Sequence, residues 1–287
     1  YVTSWADKKS SVKAKGKNVS MVDFVKSAIE LEYRSSSLSG GDNEIEKMLI
    51  NAQWENSCEN TGVLENMIAM VDTSGSMESD NCRPLYSAIG LGLRVAEKST
   101  FGKRIMTFSN TPEWVNLDDC DNFVDCVLRV RKAPWGMNTN FRAALDMILD
   151  AAIKNEIPPV KMEGLTLAVF SDMQIDQAIR GYDGGDGDMN YDTMFDVIRN
   201  KYKVAGMQSK FATPYPMPHI LFWNLRTGDG FPNLSSTLNT SMLSGSSANS
   251  LNLFVNKGVD GLKEITPWSI MMESLNNPRY RGYDPIG

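Results

Sequence analysis

The residues with the clearest chemical potential are Asp72-Thr73-Ser74-Gly75-Ser76, which set a carboxylate and two hydroxyls at alternate positions. They follow directly on the apolar run Met67–Val71. If that run is a buried strand, the three side-chain oxygens emerge together where it ends and can converge on one point. Hard oxygen donors so arranged suit Mg²⁺ or Mn²⁺, which favour octahedral oxygen coordination with some waters kept. A Ser/Gly turn after any strand would spell much the same pattern, so the motif gains weight only from others placed beside it. Two others are present. Gly136-Met137-Asn138-Thr139-Asn140-Phe141 is a polar turn opening a helix, and Phe170-Ser171-Asp172-Met173 ends a second apolar run with a carboxylate.

Competing chemistries lack their parts. The chain has one histidine, His219, at the start of the apolar run His219–Trp223 and so at the opposite strand end from the candidate cation loops. A structural histidine is the expected reading, and a general base for water activation is missing from the loops. Ser74 as a nucleophile would need an elbow motif G-x-S-x-G and a His/Asp pair, which the sequence does not supply. Neither a G-x-G-x-x-G nor a P-loop is present. Cys58, Cys82, Cys120 and Cys126 form no C-x-x-C pair. They read as scattered thiols in a reducing compartment, with the cytoplasm as the expected location.

The elements that must position these loops alternate. From Val63 onward, Met67–Val71, Arg104–Phe108, Leu165–Phe170 and His219–Trp223 read as strands, with a possible edge strand over Trp114–Leu117 and a short strand near Ser241–Leu243. Between them, helical spacing links Leu85, Ile89, Leu93 and Ala96 behind Pro84; Phe123, Cys126, Val127 and Val130; Phe141, Ala144, Leu145, Ile148 and Leu149; and Met194, Phe195, Ile198 and Tyr202. Further helices are expected through Leu251–Val255 and Trp268–Leu275. The alternation is that of an α/β fold: a doubly wound, mostly parallel sheet with helices on both faces and its sites at the carboxyl ends of the strands.

Upstream, Ser20 followed by Asp23 reads as a cap for a helix over about 20–34. Asp42 or Asn43 would cap a second helix through Ile45, Met48, Leu49 and Trp54. Residues 1–19 carry five lysines against one acid and read as a polar arm. The expected organisation is therefore an arm plus two-helix extension over 1–62 and one domain over 63–287. The chain begins at Tyr1 with no charged-then-apolar leader, which reads as a processed chain or a fragment of something longer.

Composition is that of a globular protein: 287 residues, 42% hydrophobic, 22% charged, with a net charge of −6 that argues against generic nucleic-acid binding. No apolar run approaches the roughly 18 residues of a membrane helix, so no membrane contact is expected.

Taken together, Asp72, Ser74, Ser76, Thr139 and Asp172 resemble the metal-ion-dependent adhesion site of the von Willebrand factor A domain. That family's motif is D-x-S-x-S, then a threonine, then an aspartate ending the fourth strand. The strings Trp135–Phe141, Val169–Ala178 and Phe222–Arg226 are similar to a narrower family of plants, giant viruses and some phages, itself similar to the A-domain half of Ro (TROVE) ribonucleoproteins. The resemblance implies a Rossmann-like fold and a Mg²⁺ site, with Mn²⁺ or Ca²⁺ as alternatives, held by Asp72, Ser74, Ser76, Thr139 and Asp172. It departs at Met173, where a glycine usually follows the aspartate.

The implied function is recognition without catalysis. Hydroxyl ligands leave the cation substantially positive, and its open position takes an Asp or Glu of a partner protein. Two alternatives stand beside this reading. One is a ribonucleoprotein component that binds RNA with an upstream helical region; the other is a structural component of a viral particle. In Ro proteins the helical ring mainly grips RNA, and this chain lacks it apart from residues 1–62. Elsewhere, the acidic loop over 183–192 has a partial calcium-loop rhythm but carries Tyr191 where a glycine is needed, so a solvated insertion is expected. Arg129, Arg131 and Lys132 with Trp135 are expected to be a solvated helix end. Met67, Met70 and Met106 are expected to fill the core.

Overall fold

The computed structural model describes residues 19–34, 40–58, 64, 66–109, 111–134, 140–172, 191–226, 239–244 and 272. Six strands form one sheet: β1 (Met67–Val71), β2 (Arg104–Thr107), β3 (Trp114–Asn116), β4 (Thr166–Ser171), β5 (His219–Asn224) and β6 (Thr240–Ser244), in the order β3-β2-β1-β4-β5-β6. All neighbours are parallel except β2 and β3. From β1 the chain winds one way to β2 and later returns on the other side of β1 as β4. The carboxyl ends of β1 and β4 therefore flank the topological switch point, where α/β sheets open a crevice.

Helices cover both faces: α1 (Met21–Arg34), α2 (Gly40–Cys58), α3 (Ser79–Lys98), α4 (Phe123–Arg131), α5 (Phe141–Lys154) and α6 (Tyr191–Gln208). Strand side chains alternate between the layers, as a period of two requires. Ala69, Val71, Ala168, Phe170, Leu221 and Trp223 join a cluster with α1 to α4. Ile68, Met70, Leu167, Val169, Ile220 and Phe222 join a second cluster with α5 and α6. Each central strand is buried on both sides, which is why it reads as an unbroken apolar run. Met67, Met70 and Met106 lie in these clusters, as core filling predicts.

The extension expected over 1–62 is, in its described part, packed against α3 and α4 and shares their core cluster. Ser20 caps α1 reciprocally: its Oγ donates to Asp23 Oδ2 at 2.7 Å and accepts from Asp23 N at 3.1 Å. Phe24, Val25, Ala28 and Ile29 then share one cluster with β1 and α3. Helix α2 differs from the sequence expectation in two respects. It begins at Gly40, ahead of the proposed Asp42 or Asn43 cap, and Ile45, Met48 and Leu49 are exposed. The inward face is instead Ile50 and Trp54. The Trp54 ring stacks on Phe123 with centroids 4.0 Å apart, lies under the Arg94 guanidinium at 3.9 Å, and donates from Nε1 to Glu97 Oε1 at 2.7 Å. One large ring thereby decides which face turns inward.

Helix α3 starts irregularly. Asp80, Asn81 and Cys82 hold left-handed backbone, with φ of 51°, 56° and 61°, and regular geometry begins after them. Pro84 falls in the first turn of that regular part, where its missing N–H costs nothing. Leu85, Ile89, Leu93 and Ala96 are buried as their spacing predicts. Arg131 donates to the Tyr33 hydroxyl and Lys132 Nζ to Glu32 Oε1 at 2.7 Å, so the basic end of α4 binds α1. The expected helices through Leu251–Val255 and Trp268–Leu275, residues 183–190 of the acidic loop, Trp135 and the lysines of the arm lie outside the described residues, Met272 excepted, while Tyr191 and Asp192 of that loop open α6. Among the described residues no helix is long and apolar enough to cross a membrane.

Candidate metal centre

The β1–β4 register builds the centre of the site. Val71 pairs with Phe170, so Asp72, the first residue beyond β1, stands beside Ser171, the last of β4. Asp72 N still donates to Phe170 O at 3.0 Å, which holds the chain in strand geometry one residue beyond β1. The Ser171 hydroxyl donates to Asp72 Oδ2 at 2.6 Å, and Ser74 N donates to Asp72 Oδ1 at 2.8 Å. This second bond folds the loop back over the carboxylate, an Asx-type turn. A 3₁₀ turn at Gly75–Glu78 follows and brings Ser74 Oγ within 3.1 Å of Ser76 Oγ. The two hydroxyls of the motif thus converge, as their alternate spacing predicts.

Asp172 follows β4 and is 4% exposed; Asp72 is 2% exposed. Among the described residues neither carboxylate oxygen of Asp172 has a hydrogen-bond partner, and the buried Thr73 hydroxyl also lacks one. Burial holds the Asp72 carboxyl above the usual carboxylate range. Hydrogen bonds from Ser171 and Ser74 pull it back down, and the neighbouring charge of Asp172 raises it again. Two negative groups in mutual range, one without any donor, form a cluster that a divalent cation would neutralise.

Four of the five sequence-predicted residues, Asp72, Ser74, Ser76 and Asp172, lie at this carboxyl edge. Thr139 lies outside the described residues. Its neighbour Asn140 donates from N to Ser109 O at 3.2 Å and caps α5 by accepting from Ala143 N at 2.9 Å. The donor set passes the test of hard-cation chemistry: carboxylates and hydroxyls, with a carboxylate lacking any other partner. Among the described residues no three His, Cys, Asp or Glu side chains group as a metal site.

Sequence reasoning assigned no role to Ser171 or Thr73. Ser171 could have been found from its place one residue before a strand-end carboxylate, once β4 is set beside β1. His219 sits at the amino end of β5, paired with Thr166 at the start of β4. Its Nε2 lies 3.0 Å from Ser241 Oγ, and burial lowers its pKa. It is far from the Asp72 edge.

Comparison with known proteins adds a sequence family. The family described as a domain of unknown function (DUF7788) matches residues 66–280. The uncharacterized protein L728 of Acanthamoeba polyphaga mimivirus is 31% identical over 234 residues, 79% of this chain. The chain spans 36% of that relative's length. Among solved structures, the Deinococcus radiodurans RO (RSR) protein aligns with a TM-score of 0.47 at 12% identity, over 84% of this chain and 45% of that one. Proximal thread matrix protein 1 from the mussel byssus aligns with a TM-score of 0.37 at 14% identity, over 70% and 48%.

Proposed function

The chain belongs to the DUF7788 family, and we propose that its sheet edge is a von Willebrand factor A-type adhesion site: a Mg²⁺-dependent module that binds an acidic group of a partner protein. The observation that carries this reading is the Asp172 carboxylate, buried and without a hydrogen-bond donor among the described residues, beside Asp72 and the converging Ser74 and Ser76 hydroxyls. A buried carboxylate left without a partner is costly, and a divalent cation is the counter-charge that this donor set suits.

In the proposed arrangement Asp72, Ser74, Ser76 and Asp172, with Thr139 assigned by motif, hold the ion. Mg²⁺ is the expected cation, with Mn²⁺ or Ca²⁺ as substitutes. The hydroxyls contribute no negative charge, so the ion keeps affinity for a further carboxylate from outside. The role is binding, without turnover: His219 stands at the other end of the sheet, away from any water on the ion.

The test is capture of the protein on immobilised glutamate-bearing peptide in Mg²⁺ and in EDTA. The proposal expects retention in Mg²⁺, release in EDTA, and loss of retention in Asp72→Ala. Retention on RNA that falls with salt and survives EDTA, with none on the acidic peptide, would overturn it in favour of the ribonucleoprotein reading.

A further inference from the structure

A cavity of about 530 Å³ opens at the amino edge of the sheet, at the far end of the molecule from Asp72. It lies between the start of β2 and the last turns of α5, and is lined by Phe101, Arg104, Trp114, Ile148, Ala152 and Lys161, among others. Its volume falls within the roughly 300–1,000 Å³ of small-molecule clefts. Walls of this kind, apolar and aromatic with a few polar groups, are those of a ligand site.

Two of the polar groups lining it, Arg104 and Lys161, are cationic. Arg104 has no side-chain hydrogen bond or ion pair among the described residues, and its Nε is buried without a partner. The Trp114 ring lies 6.0 Å from Cζ, and a buried guanidinium nitrogen left without a partner is costly. Its position is built into the backbone. Gly102 has φ +93°, and a Cβ there would stand 2.8 Å from Arg104 Nη2, so the glycine leaves the space that the guanidinium fills. Lys161 adds a second positive charge to the lining, with no ion pair among the described residues. The carboxylate on this rim, Glu156, is taken by Lys210.

We infer that this cavity binds a small organic carboxylate with an apolar or aromatic body, its carboxylate on Arg104 and its body against Trp114, Phe101 and Ile148. The guanidinium fork matches a carboxylate in shape as well as charge, and Lys161 adds long-range attraction.

Titration calorimetry in EDTA with 2-naphthoate and its neutral analogue 2-naphthamide tests this. The expected result is saturable one-to-one binding of naphthoate, at least about tenfold tighter than naphthamide, as a charge-assisted hydrogen bond implies. Arg104→Gln should erase that preference, Arg104→Lys should keep part of it, and Ala152→Phe should block both ligands. Equal binding of the two ligands, no saturable binding, or an unchanged preference in Arg104→Gln would each overturn the assignment. The wild-type comparison decides it even if a variant fails to fold.

Discussion

Ser171 Oγ and Asp72 Oδ2 lie 2.6 Å apart across the β1–β4 boundary, a buried hydroxyl–carboxylate bond between residues 99 positions apart in the chain. Its consequence is orientation. With one Asp72 oxygen held by Ser171 and the other by Ser74 N, the carboxylate is fixed in place and the loop carrying Ser74 and Ser76 is tied to it. Removing the hydroxyl in Ser171→Ala leaves a buried carboxylate oxygen short of a donor. The expected loss is about 1–3 kcal/mol in the metal-free protein, measured by urea unfolding in EDTA. Unchanged stability would mean that the bond does not hold the loop.

Asp172→Asn should act in the opposite direction. It removes an unpartnered buried charge, so the metal-free protein should gain stability, by about 1–3 kcal/mol. Added Mg²⁺ should then stabilise the variant less than it stabilises wild type, since ligand linkage scales with affinity. Melting curves with and without Mg²⁺ read both effects, and a variant that is less stable in EDTA contradicts the account.

Three glycines should respond in a graded way to alanine. At Gly206 a Cβ would stand 2.3 Å from Thr213 O and Tyr215 N, backbone atoms that cannot step aside. At Gly92 it would meet the Val71 Cγ2 methyl at 2.4 Å. At Gly75, between the two site serines, nothing lies within 4 Å. Denaturant unfolding should show Gly206→Ala losing about 3 kcal/mol or more, Gly92→Ala about 1–3 kcal/mol, and Gly75→Ala close to wild type. A large loss at Gly75 would show that the loop backbone is more constrained than its surroundings indicate.

The pH dependence of stability should carry a signature of His219. Burial lowers its pKa below the ordinary 6.5, so the unfolded chain takes up the proton first as the pH falls. Stability is therefore full above pH 6.5 and declines as the pH drops from there towards the depressed folded value, by at most about 1.4 kcal/mol per pH unit for one proton. His219→Gln should flatten this part of the profile, read from unfolding midpoints between pH 5 and 8. An unaltered slope would assign the effect to other groups.

Much of this architecture is legible from the sequence because its strands are buried on both faces. Met67–Val71 and Leu167–Phe170 sit among helices on each side, and unbroken apolar runs are what that environment selects. Motif spacing also predicts the convergence of Ser74 and Ser76. Contacts that depend on tertiary registration are not legible. Ile45, Met48 and Leu49 keep helical spacing, yet the Trp54 stack on Phe123 turns them outward. The left-handed run Asp80–Cys82 contains no glycine to signal it. The Ser171–Asp72 bond follows only from knowing that β4 lies beside β1, and the amino-edge cavity arises where the loop before β2 meets the end of α5.

The measurement that bears most directly on the central claim is Mn²⁺ binding followed by electron paramagnetic resonance, with Mg²⁺ competition, in wild type and Asp72→Ala. The account predicts one Mn²⁺ per wild-type chain, displaced by Mg²⁺, and a loss of at least about tenfold in affinity in the folded variant, the cost of about 1.4 kcal/mol or more of lost coordination. Equal Mn²⁺ affinity in the two proteins would contradict it.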